Sequence, residues 1–351
     1  MEQGIVNQID GVWLGFPDIV FFNGKFIIVY RKTTHHKSNT SGIWMSISDD
    51  LKHFEHFEII KPKPLHRWNC PRLSICDDQL VMIVDCVEAK DGQDFGEAEK
   101  DNDNLNIYIL RSKDGIYWDY PILTNMKGIV PDKVSLTNKQ NDFKFLTTCH
   151  KKPSYETVED VWIQESWFSN DCVNWDLKKT ISLPILLDDG SSGMNCEGSI
   201  CYDGSKYICL MRNNSQGGFP ATVSFSNGLY WEPPKLTRLF GCHRPTFGIL
   251  KSGNYLVTYR EQTSRFSKDF WARNTFACLA PKRSVYSDTP FDEINILSLD
   301  HDRSIKPDGG YTGWIQINNG DIIVVNYITD NFDKPYIKWY KIDEDDFCVL
   351  L

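Results

Sequence analysis

A pattern of strand, tight turn and strand recurs six times along this chain of 351 residues. Each copy starts beside Pro, Gly or Cys, runs through a short apolar stretch, reverses at a polar turn, and ends a second apolar stretch on a polar group. The copies are FPDIVFFNGKFIIVYR (16–31), CPRLSICDDQLVMIVD (70–85), VPDKVSLTNKQNDFKFLTTCH (130–150), CEGSICYDGSKYICLMR (196–212), HRPTFGILKSGNYLVTYR (243–260) and GYTGWIQINNGDIIVVNY (310–327). A repeated unit of this kind restricts the chain to architectures in which one supersecondary element is stacked against copies of itself.

A second motif follows four of the hairpins: SISDDLKHF (46–54), RSKDGIYW (111–118), FSNDCVNW (168–175) and SFSNGLYW (224–231). In each, Asp or Asn opens a tight turn four residues before an aromatic that can pack beneath it, which pins a hairpin between two further strands. Four strands per repeat and six repeats predict an all-β fold, a six-bladed β-propeller of four-stranded antiparallel blades, as one domain over 1–351. Two β-sandwiches would also use short, evenly spaced strands, but no linker rich in Pro, Gly or Ser divides the chain near its middle. The 11 Trp, 15 Tyr and 20 Phe suit pleated, half-buried surfaces, and no helix beyond a turn or two is expected.

A net charge of −9 argues against nucleic acid or an anionic membrane as partner, since both need basic surfaces. No apolar run approaches 18 residues and the start, MEQGIVNQIDGVW, has no secretory pattern, so a soluble, cytoplasmic monomer is expected. The 11 cysteines are scattered through strand-like runs and read as reduced core residues. None has the paired spacing of a zinc site, and no metal or cofactor is expected. Cys196, beside Glu197, has no His close in sequence to activate it as a nucleophile.

In a propeller the innermost strand of each blade starts at the axial cavity. The strand-start residues here are Asp18, Arg72, Asp132, Glu197, Arg244 and Tyr311, which predict a polar pocket. In the fourth copy a turn at Asp203-Gly204 would bring Glu197 and Arg212 to the same mouth.

The SKDGIYW and SNDCVNW segments resemble the Asp-boxes of sialidases, slightly shortened, and that family is a six-bladed propeller. The segment from Glu197 to Arg212 is similar to the one in which a sialidase glutamate opens a blade and an arginine closes the strand pair. GGYTGWIQINNGDIIVVNY resembles the last-blade segment that presents the family's catalytic tyrosine. The resemblance implies Tyr311 as nucleophile and Glu197 as its partner. It implies a carbohydrate substrate, a terminal nonulosonic or related ulosonic acid in α-ketosidic linkage. A phenol suits such a sugar because the carboxylate on the anomeric carbon repels an Asp or Glu nucleophile.

Sialidases hold that carboxylate with three arginines, whose planar guanidiniums bond it bidentately. Arg212 corresponds to the second, and Arg273 in WARNTFACLA, or else Arg260 in VTYREQ, to the third. The first blade departs from the family, because LGFPDIV places Gly15-Phe16 where an arginine is expected; Arg31 or Arg72 would have to reach in instead. Arg244 and Asp132 would complete the lining. The loop that should carry the acid/base aspartate reads RKTTHHKSNTSG and offers His35 and His36, with Asp18 as a carboxylate alternative. The acidic stretch 85–104 lacks EF-hand spacing and reads as a solvated lid. A glycosidase acting on a neutral sugar through Asp18, Asp132 and Glu197, and a glycan-binding propeller without catalysis, are the alternatives.

Overall fold

In a computed structural model, which describes residues 1–137, 142–153, 161–186, 192–214, 220–228, 230–262 and 273–347, six antiparallel four-stranded sheets stand around one axis. Residues 138–141 of the third hairpin copy, Leu229 of the fourth turn motif and residues 271–272 lie outside the described residues. Blade I consists of Trp13–Phe22, Lys25–Thr33, Gly42–Ser48 and Glu55–Ile60, running from the axis outward. Blades II to V repeat this order, with inner strands beginning near Arg72, Ser135, Asn195 and Cys242. In blade II the inner strand is broken, and His66–Trp68 and Arg72–Cys76 pair with successive halves of Gln79–Glu88.

Blade VI is built from Thr312–Gln316, Ile322–Ile328 and Tyr336–Ile342, and its outermost strand is Glu2–Asn7 from the other end of the chain. Pairing of the first strand with the last closes the ring and covers an edge that would otherwise be exposed.

The alternating and continuous apolar runs explain where the core lies. A blade is buried on both faces by its neighbours, and each of the six blade interfaces carries its own cluster. Ile27, Val29 and Met45 of blade I meet Leu80, Met82 and Val84 of blade II; Ile208, Leu210 and Val223 of blade IV meet Tyr255, Val257 and Cys278 of blade V. Burial of each such side chain contributes roughly 1.5–3 kcal/mol. The aspartate turns join the third and fourth strands as the sequence predicts. Asp114 accepts the N–H groups of Ile116 and Tyr117 at 2.9 Å, and Asp171 those of Val173 and Asn174 at 2.8 and 2.7 Å. Beneath the latter, Trp175 is buried in the cluster between blades II and III.

Among the described residues no helix is long and apolar enough to cross a membrane. The acidic stretch forms a short cover: Asp94 caps the helix Phe95–Ala98, and Phe95, Ala98 and Leu105 pack on Val87.

Candidate active site

Each inner strand carries a local distortion where it meets the axis. The ladder slips between Gly15 and Asp18, between Cys196 and Ser199, and between His243 and Thr246, leaving two residues unpaired in each case. The first of the two takes a left-handed conformation in five of the blades: Phe16 (φ 57°), Val130 (52°), Glu197 (50°), Arg244 (50°) and Gly310 (92°). For a non-glycine residue this costs about 1–3 kcal/mol and persists where the surroundings fix it. The distortion divides the axial residues into two layers.

The lower layer is a floor with one residue from each blade: Asp18, Arg72, Asp132, Ser199, Thr246 and Thr312. Asp18 accepts the Leu73 N–H at 2.8 Å and one Arg72 N–H at 3.3 Å, while Arg72 also donates to the Thr312 carbonyl and the Thr246 hydroxyl, both at 2.9 Å. Asp132 accepts from the Ser199 hydroxyl at 3.0 Å and the Ile200 N–H at 2.8 Å, and lies 3.8 Å from Arg72. Asp18 and Asp132 are 0% exposed. Gly313 is required here, because a Cβ on it would sit 2.2 Å from an Asp18 oxygen. This corrects the expectation that Asp18, Arg72 and Asp132 face the cavity: they follow the distortion, whereas Glu197 lies within it, and similar sequence position does not mean the same layer. Arg244 does not line the main cavity either: it donates to the Pro131 carbonyl at 3.3 Å and borders a separate small void together with Phe16 and Tyr311.

The upper layer surrounds a chamber of about 490 Å³. A second set of residues stands at the ends of the second strands, Arg31, Asp85, His150, Arg212, Arg260 and Tyr327, which pair with or face the bulged segments of blades I to VI; of these Arg31 and Asp85 line the chamber itself. At the boundary of the chamber Tyr311, 9% exposed, has its phenol oxygen among three charged groups. It donates to Glu197 Oε1 at 3.1 Å and accepts from Arg260 at 2.8 Å and Arg212 at 3.2 Å. Arg212 also pairs with Glu197 Oε2 at 3.0 Å, so the strand and the return strand of the fourth hairpin do share one mouth. Gly310 lets Arg260 approach, since its φ is positive and a Cβ would lie 2.6 Å from that of Arg260.

Electrostatics follow from this packing. Burial raises the Glu197 carboxyl, but the charges of Arg212, Arg260 and Arg244 outweigh it and hold the pKa down at about 2. Tyr311 is raised, by burial first, and the Glu197 charge adds to this while Arg260 and Arg212 oppose it. The phenol is therefore neutral at rest and donates a hydrogen bond to an ionised carboxylate. His150, whose Nδ1 accepts the Glu197 N–H at 3.2 Å, is depressed to about 3 by burial and held neutral. Cys196 is buried with its thiol pushed up to about 12 by burial, which makes it a poor nucleophile.

The chamber is further lined by Phe16, Arg31, Arg67, Asp85 and, from the cover, Asp94, Phe95, Gly96 and Glu99. Phe16 stacks on Tyr311 (centroids 5.7 Å apart, 27°) and meets His36 edge-on at 5.4 Å. Arg31 reaches the chamber but spends its N–H groups on the loop carbonyls of His36 (3.0 Å) and Ser38 (3.3 Å), fixing the loop that bears the histidines. Burial and the neighbouring Arg67 charge lower Arg31 to about 10. Arg67 pairs with Glu99 of the cover and lies 5.3 Å from the Phe95 ring. Asp85, raised by burial, accepts the Cys70 N–H at 3.0 Å.

His36 lines this chamber and a neighbouring groove, whereas His35 lines only the groove. Nδ1 of His36 is 3.0 Å from Asp308, which also receives Arg273 at 2.6 Å and the Trp13 indole N–H at 2.8 Å. Arg273 thus engages Asp308, and Arg260 occupies the place beside Tyr311. Asp85, His150 and Phe16 were legible as site residues, since each begins or ends one of the six hairpin copies at the position of Glu197 or Arg212; Asp308 carries no such signal. Among the described residues, no group of three His, Cys, Asp or Glu gathers as a metal site.

No protein-family model and no curated protein matches the chain. Among solved structures, a protein of unknown function from Dyadobacter fermentans superposes with a TM-score of 0.74 at 14% identity, over 97% of this chain and 98% of that one. The phage phi92 endosialidase gives 0.69 at 9% identity, over 100% of this chain and 70% of that one. Trypanosoma rangeli sialidase gives 0.61 at 11% identity, over 95% of this chain and 55% of that one. The chain has the sialidase fold. It spans about half of the trypanosomal sialidase, which has also been solved with sialic acid and as a covalent intermediate with 2,3-difluorosialic acid.

Proposed function

We propose that this sialidase-fold propeller is an exo-glycosidase that cleaves a terminal, α-ketosidically linked nonulosonic or related ulosonic acid, with Tyr311 as nucleophile. The supporting observation is the phenol oxygen of Tyr311 held at once by Glu197, Arg212 and Arg260. A carboxylate on the anomeric carbon would bond to Arg212 and Arg260. In doing so it would draw their charge away from Glu197, make that carboxylate more basic, and help it take the phenol proton as the oxygen attacks. The bond to the leaving oxygen then breaks with a proton supplied from the side of Phe16, where His36 stands and Asp308 orients its ring. Water admitted to the same position would reverse the transfer and release the sugar. The cover at 94–99 closes one side of the chamber, which suits a terminal residue.

Asp18 does not serve as the acid in this mechanism, and a neutral-sugar mechanism through Asp18 and Asp132 is disfavoured, because both carboxylates are in the floor and bonded to other blades. Tyr311→Phe should abolish turnover of an aryl α-ketoside of sialic acid while a sialic acid analogue still binds within about threefold, since only the reacting oxygen is lost. Full turnover in that variant would eliminate the tyrosine mechanism.

A further inference from the structure

Beside the chamber lies an open groove of about 430 Å³. The two cavities share His36 and Lys37, so the histidine stands on the partition between them. The groove is lined by four cationic side chains, Lys37, Arg273, Lys306 and Lys334, against two carboxylates, Asp308 and Asp333. Arg273 is paired with Asp308; among the described residues the three lysines make no ion pair. This excess of positive charge stands on a chain whose net charge is −9.

The groove wall is built rather than loose. Buried Asp302 accepts the N–H groups of Ser304 (3.0 Å), Asp308 (3.1 Å), Thr329 (3.2 Å) and Asp330 (3.1 Å), which fixes the connection between blades V and VI that carries Lys306 and Pro307. Asp308 in turn holds Trp13, His36 and Arg273.

We infer that this groove is the subsite for the leaving-group part of the substrate, and that this part is itself an acidic saccharide. The inference rests on the glycosidase proposal for the choice of sides. If the terminal sugar occupies the closed chamber, the scissile oxygen lies at the partition beside His36, and whatever is attached to that oxygen must pass into the groove. Three unpaired ammonium groups there favour carboxylate or sulfate substituents, and Pro307 and Pro335 give apolar surface for a sugar face.

The test compares wild type with the Lys306→Ala/Lys334→Ala double variant, neither position lying in the catalytic chamber. A dimer of sialic acid and the 4-methylumbelliferyl ketoside of sialic acid are used as paired probes, with turnover and calorimetric binding read for each. For the dimer, kcat/KM and affinity should fall about tenfold in the variant and lose most of their salt dependence, while the aryl ketoside changes less than twofold. Equal changes for both probes, or none for the dimer, would overturn the subsite. Absence of turnover in wild type would count against the glycosidase proposal alone: a dimer affinity that still falls in the variant upholds the groove, and one that does not refutes it.

Discussion

Glu197→Gln isolates the electrostatic centre of the site, because it keeps the side chain's size and removes its charge. In the parent, the carboxyl is held at about 2 against an ordinary 4.5, which corresponds to roughly 3 kcal/mol of favourable interaction with Arg212, Arg260 and Arg244. The folded pKa is depressed, so this stabilisation is fully present above pH 4.5 and is lost as pH falls from 4.5 toward 2. At pH 7 the variant should melt roughly 4 °C below the parent, taking about 2.1 cal/mol/K per residue for the entropy of unfolding. The gap should narrow below pH 4.5, where the parent loses the same contribution. Turnover of an aryl ketoside should drop by about 100-fold to 10,000-fold, because the amide cannot take the Tyr311 proton. Melting by calorimetry across pH 3–8 and initial rates at pH 7 supply both readings. A variant that melts as the parent does at every pH, or that keeps its rate within tenfold, would refute this account of Glu197.

Arg212→Lys should weaken a carboxylate-bearing ligand at least tenfold more than its amide analogue, because an ammonium cannot bridge Glu197, Tyr311 and a substrate carboxylate together; titration of both ligands checks this. Arg72→Met should cost about 3–5 kcal/mol of stability by leaving Asp18 and Asp132 without their cation, with the rate per folded molecule retained; denaturant unfolding with active-site titration separates the two.

The six hairpins and the aspartate turns were visible in the sequence because both depend on local chemistry: apolar runs of strand length, and a carboxylate that caps its own turn. The closure of blade VI by Glu2–Asn7 was not, since nothing local in EQGIVN names a partner more than 300 residues away. The same division holds in the site. Glu197, Arg212 and Tyr311 could be identified because each opens or ends a recognisable hairpin. Asp18, Arg72 and Asp132 open hairpins too, yet a one-residue slip of the ladder sends them to the floor, and a slip of that size leaves no mark in the hydrophobic pattern. Arg273 and Asp308 sit on connections between strands, where spacing carries no information about what they meet.

In the proposed reaction the Tyr311 oxygen becomes bonded to the anomeric carbon. Incubation of the protein with 2,3-difluorosialic acid, followed by intact mass and peptide mapping, tests it directly. One sugar should be added per chain, on the peptide containing Tyr311, and none in Tyr311→Phe. An adduct on another residue, or an unlabelled protein that nevertheless turns over an aryl ketoside, would contradict it.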